Sequence, residues 1–323
     1  MKYGSLTTIQ EFVKDNNTGL RIPKASSKNG HILINSLGFR GPEIPLTKPS
    51  GIIRLAFLGG STTWCAEVSN NEATWPHLVW AGLQKKYPSR NFDYVNGGVP
   101  GYSTEESLAN LLSRVQQTNP DIIFIYHATN DLSYDTRKMA MAQGVFSGKP
   151  ENPSWLANYS LAWFLIEKNL QMMFRKQQVI HGKKLLQFES NKLSRDFRKR
   201  LRHLIQESKK KSPLVAVATF SHQYRRDQSP EVQLRAAGSA IFYMPYMDID
   251  RLFEAFEAYN KVIREVAKEE GIILIEDENH IPGDNVHFND SAHFKDAGSR
   301  KMAERVLQGL LMNDDFRRQV EAI

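Results

Sequence analysis

Short apolar runs alternate with longer amphipathic stretches along most of the chain, and this alternation constrains the fold more than any other feature. Five runs have the length and composition of buried strands: IIRLAFL (52–58), FDYVN (92–96), DIIFIYH (121–127), PLVAVATF (213–220) and IILIE (272–276). Between and after them, apolar residues recur at helical spacing over 74–87, 104–118, 192–209, 248–271 and 295–311. This pattern predicts an α/β fold with a central parallel sheet of about five strands and helices on both faces.

Two segments fall outside the alternation. Residues 1–50 are rich in Asn, Gly, Ser, Lys and Pro and lack strong periodicity, which favours an arm packed on the domain over a separate module. Residues 135–190 interrupt the rhythm and contain helical pieces such as 160–178, so we interpret them as a helical insertion in one domain of residues 51–323. A lid and a site for an acceptor molecule are both compatible with this insertion.

Composition and charge exclude several classes of site. Cys65 is the single cysteine, so neither an internal disulfide nor a thiolate metal cluster is possible. The formal net charge is +7, but the basic surplus concentrates at 192–211, where apolar residues recur at helical spacing. We interpret this stretch as the solvated face of an amphipathic helix, and we expect no nucleic-acid partner.

The sequence contains no targeting or membrane-spanning pattern. Residues 1–30 carry no apolar core of signal-peptide length, and no run of about 18 apolar residues occurs. We therefore expect a soluble chain without an integral membrane segment. Its compartment and oligomeric state stay open, and the cell envelope is one option if an N-terminal anchor has been removed.

Polar clusters follow the predicted strands at their carboxyl ends, where parallel α/β sheets bind ligands. The clusters lie at 59–61, 98–101, 130–131 and 276–294. Because these strand ends share one edge of the sheet, we expect the four clusters to meet there.

The first cluster, in FLGGSTTWC (57–65), is compatible with a phosphate loop, a plain turn or a nucleophile. A P-loop needs a lysine after its glycines, and none is present. A serine such as Ser61 becomes a nucleophile when a base takes its proton and a third group orients the base. Two Asp-x-x-His pairs could supply both groups, since the carboxylate can turn back to Nδ1 and leave Nε2 for the serine: Asp284–His287 and Asp290–His293.

An attacked ester also needs donors for its developing oxyanion. We expect them from the backbone N–H groups of Ser61 and Gly101 and from the side-chain amide of Asn130. Glycine at 101 suits a backbone that approaches substrate closely. This chemistry requires no metal and no organic cofactor. Other side chains expected near the site are Gly60, Asp131, His287 and Trp64.

These motifs resemble those of the SGNH hydrolases, also called GDSL-type lipases and esterases. Four family motifs occur in order: GGST (59–62), NGGVPG (96–101), ATND (128–131) and Asp-x-x-His. The resemblance spans roughly residues 52–310 and implies a flavodoxin-like three-layer α/β/α fold. Two positions depart from the family pattern, because Gly60 stands where the aspartate of Gly-Asp-Ser is expected and Ala128 replaces the glycine of the third motif.

The resemblance also chooses between the two histidines. In the family a helix follows the catalytic histidine directly, with a glycine five residues on and an alanine ten residues on. His293 is followed by Gly298 and Ala303 at these places, whereas His287 is followed by Ala292 and Ala297 and lacks the glycine. The resemblance therefore implies His293 as the base and Asp290 as its orienting carboxylate, and leaves His287 to line the site or to serve as an ordinary loop residue.

Three functions follow as hypotheses. The first is a serine esterase that hydrolyses a carboxylic ester through an acyl-serine intermediate. The expected substrates are esters of a small acyl group such as acetyl, with carbohydrate as one candidate for the alcohol. The second is an O-acyltransferase that uses the same triad to acylate a sugar, which the sequence does not separate from the first. The third is a non-catalytic phosphate- or sugar-binding protein, disfavoured by the missing lysine and by the presence of every triad member.

Overall fold

A parallel five-stranded sheet lies at the centre of the fold. The structure is a computed structural model, and it describes residues 12–146 and 185–322. In chain order the strands are β1 (Phe12–Lys14), β2 (Arg21–Pro23), β3 (Ser27–Asn29), β4 (Ile32–Ile34), β5 (Ile52–Gly59), β6 (Asn91–Asn96), β7 (Ile122–Tyr126), β8 (Leu214–Ala218) and β9 (Ile273–Ile275). The central sheet has the order β6-β5-β7-β8-β9, with every neighbouring pair parallel. The predicted α/β fold is confirmed, and the strand order is the flavodoxin-like one.

Helices cover both faces of this sheet. They are α1 (Ser61–Trp64), α2 (Trp75–Lys86), α3 (Thr104–Ser113), α4 (Thr129–Ala142), α5 (Ser190–Leu193), α6 (Arg195–Lys209), α7 (Pro230–Ala236), α8 (Gly238–Tyr243), α9 (Ile249–Glu270), α10 (Asp296–Met312) and α11 (Asp314–Ala322), with a 3₁₀ turn at Val115–Thr118. On one side α2 packs against α10, and on the other α6 packs against α3 and α9. Helices on both faces explain why β5 and β7 are buried almost throughout and consist of apolar residues, apart from the buried Arg54 in β5.

The strand order places a crevice at the carboxyl end of β5. From β5 the chain turns first to β6 on one side and then crosses to β7 on the other. The connections after β5 and β7 therefore leave the sheet on opposite faces, and ligands bind at such a switch point. Two of the four predicted polar clusters, those after β5 and β7, border this crevice directly.

The segment before the central sheet contains two antiparallel hairpins, β1-β2 and β3-β4, which its weak periodicity did not indicate. It packs against the loop after β5: the Phe12 and Trp64 rings lie 5.3 Å apart between centroids. Arg40, which follows these hairpins, is buried. Its guanidinium donates to the carbonyl oxygens of Trp64 at 2.7 Å and Cys65 at 2.6 Å.

Some boundaries differ from those predicted. The helix expected over 104–118 ends at Ser113, and its capping box is formed by Ser103 and Glu106. α4 continues past residue 135, where the insertion was expected to begin. The rest of that insertion, including the helix predicted at 160–178, lies largely outside the described residues.

Candidate active site

The turn that carries Ser61 is held rigidly from behind. Ser61 begins α1, a single helical turn directly after β5, and a helix this short leaves its last carbonyl groups without helical partners. Buried side chains supply the missing donors: Trp75 Nε1 bonds the Thr62 oxygen, Asn96 Nδ2 bonds the Thr63 oxygen, and Arg40 bonds the next two carbonyls. Four consecutive carbonyl groups are therefore satisfied, which fixes the serine in place.

The structure brings Ser61, His293 and Asp290 into one chain of hydrogen bonds. Ser61 Oγ lies 2.7 Å from His293 Nε2, and His293 Nδ1 lies 2.9 Å from both carboxylate oxygens of Asp290. Because an ionised carboxylate only accepts, Nδ1 carries the proton of the neutral imidazole and Nε2 accepts from the serine hydroxyl. The arrangement can remove the proton from Ser61.

The loop itself holds Asp290 in position. One carboxylate oxygen accepts the backbone N–H groups of Ala292 and His293, each at 3.0 Å. Burial alone would raise the pKa of Asp290, but the charge of His293 and these N–H donors outweigh it, so that the pKa is lowered. Burial likewise opposes protonation of His293, yet the carboxylates of Asp290 and Glu67 prevail and raise the pKa of His293 to about 9.

The second Asp-x-x-His pair has the same local geometry in a different place. His287 Nδ1 lies 2.8 Å from Asp284 Oδ1, and that oxygen also accepts the N–H of Val286. The Asp284 side chain is half exposed, and among the described residues Ser61 is bonded by His293 and not by His287. Asp-x-x-His is thus a stable loop motif in its own right, and proximity to the serine distinguishes the two copies.

The groups expected to bind an oxyanion border the same turn. Asn130 Nδ2 donates to the carbonyl oxygen of Tyr102 at 2.8 Å, which leaves the second N–H of the amide available. Gly101 is exposed with a φ of 89°, a conformation that favours glycine, and none of the described residues accepts a hydrogen bond from its N–H. A Cβ on Gly60 would lie 2.6 Å from Asn130 Nδ2, so only glycine allows the amide this close to the nucleophile turn.

Asp131 and Trp64, expected near the site, are both buried. The Asp131 carboxylate accepts the backbone N–H of Thr104 and, at 2.6 Å, its hydroxyl, and it faces Arg200 Nε at 3.3 Å. Burial raises the pKa of Asp131 to about 6, although Thr104 and Arg200 oppose this. Its contacts tie the start of α4, which carries Asn130, to the start of α3, which follows Gly101.

Two other titratable residues close to these elements, His127 and Cys65, are buried. His127 is buried, with Nε2 2.8 Å from Ser107 Oγ, and burial lowers its pKa to about 3, so the ring is neutral. Cys65 follows α1, and burial raises the pKa of its thiol to about 12, which excludes a reactive thiolate at neutral pH.

Sequence reasoning missed Glu67, two residues beyond Cys65. Burial raises its pKa, and the charges of His293 and Asp290 act on it in opposite directions. Burial raises the pKa of Tyr243 at the end of α8, and the charges of Asp290 and Glu67 add to this effect. Nearness to Ser61 in the chain was the only sequence signal for Glu67, and none existed for Tyr243.

Metal-ligand clusters and membrane-spanning helices are both absent from the described part of the chain. Within residues 12–146 and 185–322, no cluster of three His, Cys, Asp or Glu side chains could hold a metal ion. No helix in these ranges is both long and apolar enough to cross a bilayer.

Comparisons with known proteins agree with this fold. A family model described as GDSL-like Lipase/Acylhydrolase family matches residues 57–301. No curated protein gives a significant match. Among solved structures, a GDSL-like lipase from Parabacteroides merdae is similar at 14% identity and TM-score 0.50, over 83% of this chain and 98% of that one. A catalytic mutant of Axe2, an acetylxylan esterase from Geobacillus stearothermophilus, is similar at 16% identity and TM-score 0.50, over 80% and 93% of the two chains. At these identities the likeness shows the fold alone.

Proposed function

The chain belongs to the GDSL-like lipase/acylhydrolase family and is a carboxylic ester hydrolase, and from this premise we propose that Ser61, His293 and Asp290 form its catalytic triad. One observation carries the proposal: the 2.7 Å contact from Ser61 Oγ to His293 Nε2, continued at 2.9 Å from His293 Nδ1 to Asp290. The three groups come from two distant segments of the chain, and each has the atom that the next one requires.

Acylation follows from this geometry. Ser61 Oγ attacks the ester carbonyl carbon while Nε2 of His293 takes its proton, and Asp290 stabilises the imidazolium that forms. The carbonyl oxygen becomes an oxyanion bound by the N–H groups of Ser61 and Gly101 and by the free N–H of Asn130. When the tetrahedral intermediate collapses, the bond to the alcohol oxygen breaks and His293 returns the proton to the departing alcohol.

Deacylation repeats the cycle with water. Neutral His293 takes a proton from water, whose oxygen attacks the acyl carbon of the acyl-serine. Collapse of the second intermediate returns the proton to Ser61 Oγ and releases the carboxylic acid. An alcohol that replaced this water would receive the acyl group instead, and the enzyme would then act as an O-acyltransferase.

We propose that the substrate is an ester of a small acyl group with a carbohydrate alcohol, and that acetyl is the first acyl group to test. The acetylxylan esterase among the similar structures suggests this first choice of assay, although its likeness extends to the fold alone. Product analysis with an added sugar acceptor separates hydrolysis from transfer: free acetate indicates the first, and an acetylated acceptor indicates the second.

Covalent labelling tests the nucleophile directly. A fluorophosphonate should modify Ser61, as located by mass spectrometry, and Ser61→Ala should abolish labelling and lower hydrolysis of 4-nitrophenyl acetate by roughly 10³-fold or more. His293→Ala should lose activity similarly, and His287→Ala is its matched control because His287 has the same Asp-x-x-His geometry without the serine. Labelling at another residue, or equal losses in the two histidine variants, would contradict the assignment.

A further inference from the structure

The first hairpin, β1-β2, packs on the loop after β6 that carries Gly101. A small apolar cluster, separate from the main core, joins the segment before the central sheet to the nucleophile turn and to this loop; its buried members are Phe12, Ile32, Ile34, Trp64, Val99 and Tyr102. The Tyr102 hydroxyl also donates to the backbone oxygen of Arg21 at 2.8 Å. The hairpin precedes the residues that match the family model, so the family match does not account for these contacts.

Arg21 reaches the peptide group that contains the N–H of Gly101. Its guanidinium donates to the carbonyl oxygen of Pro100 at 2.6 Å. That carbonyl and the Gly101 N–H belong to one planar trans peptide group, in which the two bonds point in opposite directions. A hydrogen bond that fixes the carbonyl on the side of Arg21 therefore directs the N–H to the other side. This N–H has no acceptor among the described residues, so it is available to an oxyanion.

The turn around this peptide group has two forms that differ in the direction of the N–H. The N–H of Tyr102 donates to the Val99 oxygen at 3.1 Å, so Pro100 and Gly101 are the central residues of a β-turn. The φ of 89° at Gly101 makes it a type II turn. A type I turn accepts the same residues and the same closing hydrogen bond, but its central peptide group is rotated by about half a turn.

The rotated form would not bind an oxyanion. It would place the Pro100 carbonyl oxygen where the Gly101 N–H now points, and a carbonyl oxygen repels a negative charge. It would also turn that oxygen away from Arg21 and break their hydrogen bond. Because a hydrogen bond from a charged donor is stronger than one between neutral groups, Arg21 favours the form in which the N–H faces the oxyanion.

An aromatic ring keeps the guanidinium of Arg21 in place, although the residue is exposed. The guanidinium lies over the Phe12 ring, 4.4 Å from its centroid, and that ring packs against Trp64. Phe12 and Trp64 are both buried, so the surface under the guanidinium is fixed. A planar guanidinium that stacks on a fixed ring loses less freedom when it binds the carbonyl, which strengthens the contact to Pro100.

We propose that Arg21 is a positioning residue of the oxyanion site, and that it holds the Pro100–Gly101 peptide group in the orientation that presents the Gly101 N–H to the acyl oxygen. The inference rests on the proposed esterase function and gives the hairpin β1-β2 a part in it. Arg21 does not contact the substrate in this role. Its removal should therefore lower kcat and leave KM nearly unchanged, since the oxyanion forms only on the way through the transition state.

Arg21→Met tests this role on 4-nitrophenyl acetate, a neutral substrate. Loss of a whole oxyanion donor costs roughly 10²- to 10³-fold in kcat, and because only part of the molecules would adopt the rotated turn, we expect a loss of about 10-fold. Arg21→Lys keeps a charged donor and should recover most of this loss. Lys14→Met is the matched control, because Lys14 pairs with Arg21 across the hairpin, and it should leave kcat unchanged.

A double variant identifies the donor that Arg21 serves. Tyr102 also links Arg21 to Asn130, since its carbonyl oxygen accepts from the Asn130 amide at 2.8 Å. If Arg21 acts through Gly101, the losses of kcat in Arg21→Met and Asn130→Ala should multiply in the double variant, because the two donors are distinct. A double variant no slower than Asn130→Ala would show that Arg21 acts through Asn130 and would overturn the inference.

Other outcomes contradict the inference as clearly. Unchanged kcat in Arg21→Met overturns it, and so does a rise of KM with kcat intact, which would make Arg21 a substrate contact. Equal losses in Arg21→Met and Lys14→Met would reduce the effect to charge. If melting curves show that Arg21→Met does not fold, Arg21→Gln, which keeps a neutral donor, decides through an expected few-fold loss of kcat. These results leave the proposed triad unaffected, whereas full activity of Ser61→Ala overturns the proposed function itself.

Discussion

Gly60 occupies the position where the resemblance expects an aspartate, and Gly60→Ala should impair catalysis while leaving the fold intact. The added Cβ would lie 2.6 Å from Asn130 Nδ2 and 3.0 Å from the Tyr102 oxygen. The backbone φ at Gly60 is −92°, so alanine meets no left-handed strain there. The closest clash falls on the end of the Asn130 side chain, which must turn away from its 2.8 Å bond to Tyr102.

The displaced atom is the proposed oxyanion donor, which sets the magnitude. Removal of one such donor costs roughly 10²- to 10³-fold in kcat, or about 2.7–4 kcal/mol. We expect Gly60→Ala to lower kcat by about 10²-fold and to change KM little, since the donor acts mainly on the transition state. Because the end of one side chain must move and the Tyr102 carbonyl must shift only slightly, the melting temperature should fall by no more than a few degrees.

A double-mutant cycle on 4-nitrophenyl acetate tests the route of this effect. If Gly60→Ala acts by displacing Asn130, then the Gly60→Ala/Asn130→Ala double variant should be no slower than Asn130→Ala alone. Gly51→Ala is a control for added strain, because Gly51 has a φ of 77° and precedes β5 at the opposite edge of the sheet. Unchanged kcat in Gly60→Ala, or losses that multiply in the double variant, would refute the reasoning.

Four further predictions follow from the structure. Although burial opposes protonation of His293, Asp290 and Glu67 raise its pKa to about 9. Because only the neutral ring acts as a base, kcat/KM should rise from pH 6 toward about pH 9. A plateau of kcat/KM that begins at pH 7 would contradict this prediction. The same shift stabilises the folded protein below about pH 6.5, and this contribution should disappear as the pH rises through about 9, as denaturant titrations can measure. Asp290→Asn should lower kcat by about 10⁴-fold, whereas Asp284→Asn should leave kcat unchanged. Equal losses of kcat in the two variants would contradict the assignment of the Asp290–His293 pair to the triad. Arg40→Met should lower the free energy of unfolding by about 2 kcal/mol or more through two unpaired buried carbonyl groups, and an unchanged denaturation midpoint would contradict that role.

Much of the fold could be predicted because burial on both faces marks the strands. β5 and β7 lie between two layers of helices, so their sequences are apolar except for the buried Arg54 in β5, and glycine or polar residues follow them. Since parallel strands end at one edge, strand ends alone also indicated which polar residues would meet. The 2.7 Å separation of Ser61 and His293, 232 residues apart in the chain, is a consequence of that topology.

Residues whose partners are distant and non-periodic could not be predicted. Arg40 is buried because the short helix α1 leaves carbonyl groups that need donors, and nothing near Arg40 in the sequence signals this need. The strands of the two hairpins that precede Arg40 have three residues each, which is too few for a recognisable alternation of apolar and polar residues. Asp131 looked like a site residue because it follows Asn130, but its carboxylate is used by Thr104 in the first turn of α3.

Two carboxylates act on one imidazole in this site, and their surroundings assign them different roles. Asp290 is bonded by His293 and by two backbone N–H groups, which outweigh its burial and lower its pKa, so it stays ionised and orients the ring. Glu67 is not bonded to His293, burial raises its pKa, and one of its oxygens has no partner. Pairs of acids whose pKa values are pushed apart commonly divide the work of a site. Since Glu67 does not hydrogen-bond Nδ1, it cannot replace Asp290 as the orienting group, and it acts on the ring only through its charge.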